Sequence, residues 1–358
     1  MPHVILTINP GSTSTKIGVF EDEKELFSQT VTHSCDEIAE FPTIASQYQF
    51  REQHIRDALA QRGFDLKRLS AIVGRGGMLR PIPGGVYAVN AAMKRDLETA
   101  RYGEHASSLG ALIADRLAAE LGIPAYIADP VVVDELSDIA RVSGHKLFHR
   151  RSIFHALNQK AVARRWCSER GVAYEEAILI VVHMGGGVSV GLHEKGRVVD
   201  VNNALNGEGP FSPERSGTLP TSDLVKLCFS GKYKEKEVLK MITGQGGLVS
   251  FLGTNDMRVV EGRCHDGDPE AALYYKAFMY QVGKAIGALA AAAKGRAQAI
   301  ILTGGVAYGK EIVKGIEEMC GFLAPIVVYP GEDELKALAL CGLRALADRS
   351  CIRVYEEA

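Results

Sequence analysis

Two stretches of the chain carry the residue types that hold an anion. One is Asn9-Pro10-Gly11-Ser12-Thr13-Ser14-Thr15-Lys16; the other is His183-Met184-Gly185-Gly186-Gly187-Val188-Ser189. The first offers hydroxyls at Ser12 and Ser14 and, at Lys16, a point charge suited to phosphate oxygens. Gly11 is expected to take the positive φ of a tight turn. In the second, three successive glycines let the main chain approach a ligand closely, and His183 stands at the strand end as a donor. An apolar run precedes each stretch, and an alternating run follows: Ile17 and Val19 in one, Val188 and Val190 in the other. Each turn therefore reads as the tip of a β-hairpin, where clustered N–H groups make a phosphate cradle. A third glycine turn, Thr303-Gly304-Gly305, also follows a buried run. Taken singly, the first stretch reads equally well as an ordinary Gly/Ser turn, and His183 as a satisfied core histidine. The three together favour phosphate. There is no Walker A motif, since G-x-x-x-x-G-K-[ST] is absent and no helix follows the first turn.

The elements that must position these turns alternate between strand and helix. Helices are expected over 44–61, 90–102, 107–121, 154–170, 222–227, 235–242, 270–293 and 334–347. Strands are expected over 69–73, 125–128, 177–184, 197–201, 299–302 and 326–329. The segment 21–40 reads as a polar stretch, and 202–220 as a long Gly/Pro/Asn/Ser loop of the kind that is usually functional. This alternation predicts α/β domains with mixed sheets. The boundaries fall at 1–152 plus 332–358 for the first domain and 153–331 for the second, with the crossover at His149 to Arg151.

Composition excludes several classes. The chain has 358 residues, 46 % of them hydrophobic, enough for two cores. With 41 basic and 43 acidic residues it has no electrostatic reason to bind nucleic acid. Seven scattered cysteines without a C-x-x-C fit reduced thiols in the cytoplasm rather than a disulfide framework. Met1 leads directly into a strand, so no signal peptide is expected, and the apolar run 285–293 is too short to span a bilayer. His145, His149 and His155 could be imagined as a zinc site, but Lys146 and Arg150 disfavour a cation there.

The order of the motifs carries more than any one of them. N-P-G-S-T-S-T-K, Phe154-His155, H-M-G-G-G-V-S, G-E-G-P-F-S-P-E-R-S-G at 207–217, and T-G-G near the end occur in the order seen in the short-chain fatty acid kinases. The chain resembles the acetate kinase family over nearly its whole length. The resemblance implies two actin-like (ribonuclease H-like) domains with mixed sheets flanked by helices, and nucleotide in the cleft between them. Asn9, Ser12, Ser14 and Lys16 would form one phosphate-facing turn, and His183, Gly185, Gly186, Gly187 and Ser189 the second. Gly304 and Gly305 would form the adenosine loop, beside Asp256 and Arg258. Arg215, Arg75, His155, Asp129 and His105 match catalytic or substrate-side positions. Asn9, Asp333 and Glu334 stand where a magnesium ion is expected. ATP/ADP and Mg2+ are the implied cofactors, a homodimer the minimal unit, and a carboxylate the acceptor. Gly186 replaces a usual Asn and Glu214 a usual Thr; these departures favour a branch acting on butyrate over acetate.

The implied reaction needs no strong base, because a carboxylic acid is ionised at neutral pH. It needs cations that let one anion approach another. Two alternatives share such hairpins: an actin-like or chaperone-like conformational ATPase, and a sugar or polyol kinase, for which Asp129 would serve as base.

Overall fold

The structure, a computed structural model, describes residues 2–357. They fold as two compact units: the chain up to Val133 together with the part from Asp333 onward, and Asp134–Glu332. The first boundary therefore falls at 133 rather than at 152. The segment after 133 belongs to the second unit because it bonds there: Ser137 N–H donates to Val199 O, and Arg150 reaches Asp200 and Val201.

In chain order the first unit holds strands β1 (Val4–Pro10), β2 (Ser14–Glu21), β3 (Lys24–Thr32), β4 (Ala71–Arg75), β5 (Val86–Ala88) and β6 (Ala125–Ala128). The second holds β7 (Ile178–Met184), β8 (Val188–Glu194), β9 (Arg197–Val201), β10 (Ala299–Gly304) and β11 (Ile326–Pro330). The chain then returns to the first sheet as β12 (Ile352–Arg353). The sheet orders are β12-β5-β6-β4-β1-β2-β3 and β11-β10-β7-β8-β9. Each contains the same core, two antiparallel pairings followed by two parallel ones. Even the register shift recurs, at Val19/Phe20 in one and Leu192/His193 in the other. The duplication expected from the two turns is thus a duplication of whole sheets.

In both units β1 and its counterpart β7 read as nearly unbroken apolar runs because helices cover both faces. In the first unit Ile55, Leu59, Leu109, Ile113 and Leu117 pack with the strands Val4–Pro10 and Ser14–Glu21. A Cβ on Gly74 would stand 2.2 Å from Gly110 O, so the helix Ser108–Leu121 lies in backbone contact with β4. That contact seats Arg75 at the strand end. In the second unit a Cβ on Gly304, whose φ is +86°, would stand 2.3 Å from Met184 O. Only glycine lets the third turn close this tightly against the end of β7.

The polar segment 21–40 is a correction: it contains the strand β3 and a short helix, Cys35–Ala39. As an edge strand, half exposed along its length, β3 lacks the apolar signal of its neighbours. The helices Gly247–Leu252, Met257–His265 and Lys310–Cys320 are likewise additions to the sequence reading. The stretch 202–220 is loop apart from one bridge, Arg215 to Thr243.

Candidate active site

In the first unit, β1 and β2 deliver the first turn. Asn9 lies directly opposite Lys16 in the register, so their side chains leave the same face of the sheet. Asn9 Nδ2 donates to Glu334 Oε2 at 2.5 Å, and Arg75 Nη1 donates to the same oxygen at 2.8 Å and to Asn9 Oδ1 at 3.3 Å. Glu334 Oε1 has no partner among the described residues. Partial burial, and then the charge of Arg75, hold the His105 imidazole below its ordinary pKa. Four predicted residues, Asn9, Arg75, His105 and Glu334, thus belong to one electrostatic cluster. Asp333 does something else: its carboxylate accepts from Lys336 N–H and caps the helix Glu334–Ala347. Asp129 is only 2 % exposed, has φ +37°, and accepts from Gly85 N–H at 2.7 Å, so its carboxylate ties down the loop before β5.

Gly11 does not use the left-handed region expected of it. The turn is shaped from beneath, by Arg51 on the helix Tyr48–Gln61. Its guanidinium, 1 % exposed, donates to Gly11 O at 2.6 Å, Ser12 O at 2.7 Å and Ser14 O at 3.3 Å, and to Gln47 Oε1. It has no carboxylate partner among the described residues, and burial pushes its pKa down to about 10. Because a trans peptide points its C=O and N–H in opposite directions, the N–H groups of Ser12 and Thr13 face away from Arg51. Neither makes a backbone bond among the described residues, so the turn offers two adjacent donors of the kind that cradle an anion.

In the second unit, Arg215 lies against the second turn. A Cβ on Gly187 would stand 1.9 Å from Arg215 Nη1, so the glycine makes room for the guanidinium. Ser212 locks the two segments, donating from Oγ to Gly186 O at 2.5 Å and accepting from Arg215 N–H at 3.1 Å. Arg215 Nη1 donates to Ala204 O, while its buried Nε has no partner among the described residues. Burial lowers the guanidinium's pKa, and Glu214 partly offsets this. His155, at the start of the helix Ala156–Arg170, stacks on His183 with ring centroids 3.8 Å apart. Its Nδ1 lies 2.9 Å from Ser189 Oγ.

A pocket of about 730 Å³ opens from Gly185 and Gly186, past Asn255, Asp256 and Arg258, to Gly305 and Tyr308. This volume suits a nucleoside-sized ligand. Asp256 accepts from Arg258 through both carboxylate oxygens, at 3.0 and 2.7 Å. That pairing, and then the Arg258 N–H, bring its pKa down to about 2. The carboxylate at the pocket wall is therefore an acceptor at any working pH.

Residues 135–337 match the model of the acetokinase family. The chain is also 54 % identical over 352 residues to butyrate kinase 1 of Clostridium acetobutylicum, covering 98 % of this chain and 99 % of that protein. It is 54 % identical over 355 residues to a probable butyrate kinase of Clostridium botulinum, covering 99 % of this chain and all of the relative. The chain belongs to the acetokinase family. Among solved structures, the acetate kinase of Porphyromonas gingivalis superposes with a TM-score of 0.79 at 17 % identity, covering 96 % of this chain and 100 % of that one. A propionate kinase from Francisella tularensis gives 0.71 at 17 % identity, with 95 % and 98 % covered. At such identities these two speak for the fold alone, which is the two-unit α/β arrangement expected of an acetokinase chain.

Within this acetokinase-family chain, sequence reasoning missed Arg51, Ser212, Asn158, Gln159 and Tyr308. Arg51 looks like a surface residue of an amphipathic helix. Its only sequence signal is its place among Ile55, Ala58 and Leu59 on the face that is buried. Ser212 lies three residues before Arg215, a spacing that closes a turn on the N–H of Arg215.

Proposed function

We propose that the chain transfers the γ-phosphoryl group of ATP to the carboxylate of butyrate, giving ADP and butyryl phosphate, and catalyses the reverse reaction as well. A carboxylate oxygen forms the new P–O bond while the bond to the β-phosphate oxygen breaks and ADP leaves. The observation that carries this reading is Arg215, a half-desolvated cation seated on a glycine turn that opens into a nucleoside-sized pocket. The names of the 54 % identical relatives support the four-carbon acid.

Each residue then has a task. The pocket from Gly186 to Tyr308 holds the nucleoside, Asp256 accepting from ribose hydroxyls and Gly304 and Gly305 letting the main chain close on it. Arg215 offers its planar fork to the phosphoryl oxygens, and the second turn adds N–H donors. The first turn, with Ser12, Ser14 and Lys16, binds phosphate. Arg75 and His105 face the carboxylate side, and Asp129 holds the loop before β5. No group abstracts a proton, since the acceptor is already an anion.

Magnesium fits the donor set. The ion commonly takes one or two carboxylates and fills its shell with phosphate oxygens and water. Glu334, with Oε2 engaged and Oε1 open, and Asn9 beside it would hold it. Bound there, it would neutralise phosphate charge.

Hydroxylamine trapping of acyl phosphate tests the reading. With MgATP, hydroxamate should form fastest with butyrate and not at all with glycerol or hexoses. ATP hydrolysis with no hydroxamate from acetate, propionate, butyrate or isobutyrate would replace it with a conformational ATPase.

A further inference from the structure

Behind the stacked pair His155 and His183 run two buried polar networks, and donor–acceptor bookkeeping fixes the direction of both. Gln159 Nε2 lies 3.0 Å from the main-chain carbonyl of Ser189 and 2.7 Å from Ser189 Oγ. A carbonyl only accepts, so this atom of the amide must be nitrogen, and both its hydrogens go to Ser189. Gln159 Oε1 therefore faces His193 Nε2 at 3.0 Å, and His193 donates to it. His193 Nδ1 then accepts from the Tyr174 hydroxyl at 2.8 Å. At the other end, Ser189 Oγ receives a hydrogen from Gln159 and must place its own. Ser189, Gln159 and His193 are 0 % exposed, so water does not take it. Among the described residues the acceptor in reach is His155 Nδ1, at 2.9 Å. A Cβ on Gly191 would stand 2.4 Å from Gln159 Oε1, so the strand β8 needs glycine there for the amide to fit.

The second network has the opposite sense. Asn158 Nδ2 faces Gly331 O at 3.5 Å, which turns Asn158 Oδ1 toward His183 Nδ1 at 2.8 Å. Here the ring nitrogen must donate.

We propose that these networks give the stacked imidazoles opposite roles at Nδ1, so that His155 accepts there and presents Nε2–H as a hydrogen-bond donor, while His183 donates from Nδ1 and turns its Nε2 to Glu332 Oε1 at 3.2 Å. Tyr174, His193, Gln159 and Ser189 are positioning residues acting through His155. Ser189 is accordingly a support of the second turn rather than a phosphate ligand, which revises its expected role. A fixed donor suits an oxygen that gains negative charge and avoids offering a lone pair to an anion. The catalytic consequence rests on the carboxylate-kinase reading; the tautomers do not.

Two-bond 1H–15N spectra of the full chain labelled with 15N-histidine test the tautomers without substrate. His155→Asn and His183→Asn serve to assign the signals. His155 should show a protonated Nε2 and a lone-pair Nδ1, and His183 a protonated Nδ1. A proton on Nδ1 of His155, or a lone pair on Nδ1 of His183, overturns the proposal. Ser189→Ala should convert His155 to a mixture of tautomers and lower kcat by about 10- to 100-fold with KM for MgATP and butyrate nearly unchanged. A Ser189→Ala enzyme that keeps the single Nε2–H form and full kcat also overturns it. Should Ser189→Ala not fold, the wild-type spectrum decides alone. A wild-type spectrum as expected from a protein that makes no acyl hydroxamate would leave the tautomers standing and remove the kinase reading.

Discussion

Gly187 shows how closely this site depends on one missing methyl group. Any side chain there overlaps the Arg215 guanidinium. Gly187→Ala should therefore displace Arg215 and lower kcat by about 10²-fold or more, while the far-UV CD spectrum stays unchanged. Arg51 is the other residue on which a turn depends. Arg51→Met leaves the carbonyls of Gly11 and Ser12 without this donor, Ser14 O keeping the Gly11 N–H, and should destabilise the protein by about 2–4 kcal/mol in urea melts. It should also raise KM for MgATP, because the N–H groups of Ser12 and Thr13 are no longer aimed. Arg51→Lys should restore little, since an ammonium cannot span three carbonyls as the fork does. An unchanged KM in both variants would take Arg51 out of the phosphate cradle. Arg215 was legible in the sequence because its E-R-S-G setting resembles a family motif. Arg51 was not, because burial of a lone arginine leaves no mark in composition or spacing.

The first hairpin, as an element, has a pH dependence written into its back face. His33 accepts or donates at Thr15 Oγ1, 2.9 Å away, and faces His54, Arg51 and Glu37. Burial first, then the charges of Arg51 and His54, bring its pKa from 6.5 to about 4. Between those values the unfolded chain binds a proton that the folded chain refuses. The contribution of His33 is thus complete above pH 6.5 and is lost as pH falls toward 4. The urea midpoint should fall across that window, and His33→Gln should flatten the slope; an equal slope in both would exclude His33 as its source. The third turn is held as tightly: Gly304→Ala combines a φ of +86° with a backbone overlap and should cost about 2 kcal/mol or more. The three turns and most helices could be read in advance because glycine, small hydroxyls and apolar spacing act locally. Strand β3 and the boundary at 133 could not, because both are set by pairing with distant residues, Ser14–Glu21 in one case and Val199 to Val201 in the other.

At the scale of the whole molecule, one sheet plan occurs twice, and each copy brings its hairpin turn to the C-terminal edge of its parallel strands, where α/β sheets usually bind ligands. The copies have diverged in what they surround the turn with. The first has an amide, an arginine and a carboxylate; the second has an arginine, two stacked imidazoles and a nucleoside-sized pocket. That division was visible only as a list of residues until the fold sorted them by unit. Acid selectivity belongs to this scale. Each methylene that fits or fails to fit an apolar wall is worth about 1–3 kcal/mol, so kcat/KM should fall by about tenfold or more from butyrate to acetate. Equal values across the series would mean that chain length goes unread.

Phosphoryl transfer here turns on Arg215 meeting the transferring group, and the most direct test is the steady-state kinetics of Arg215→Ala in the hydroxamate assay with MgATP and butyrate. The expected result is a kcat lowered by about 10³-fold or more in a folded protein, with Arg215→Lys little better. Turnover close to wild type in Arg215→Ala would contradict it.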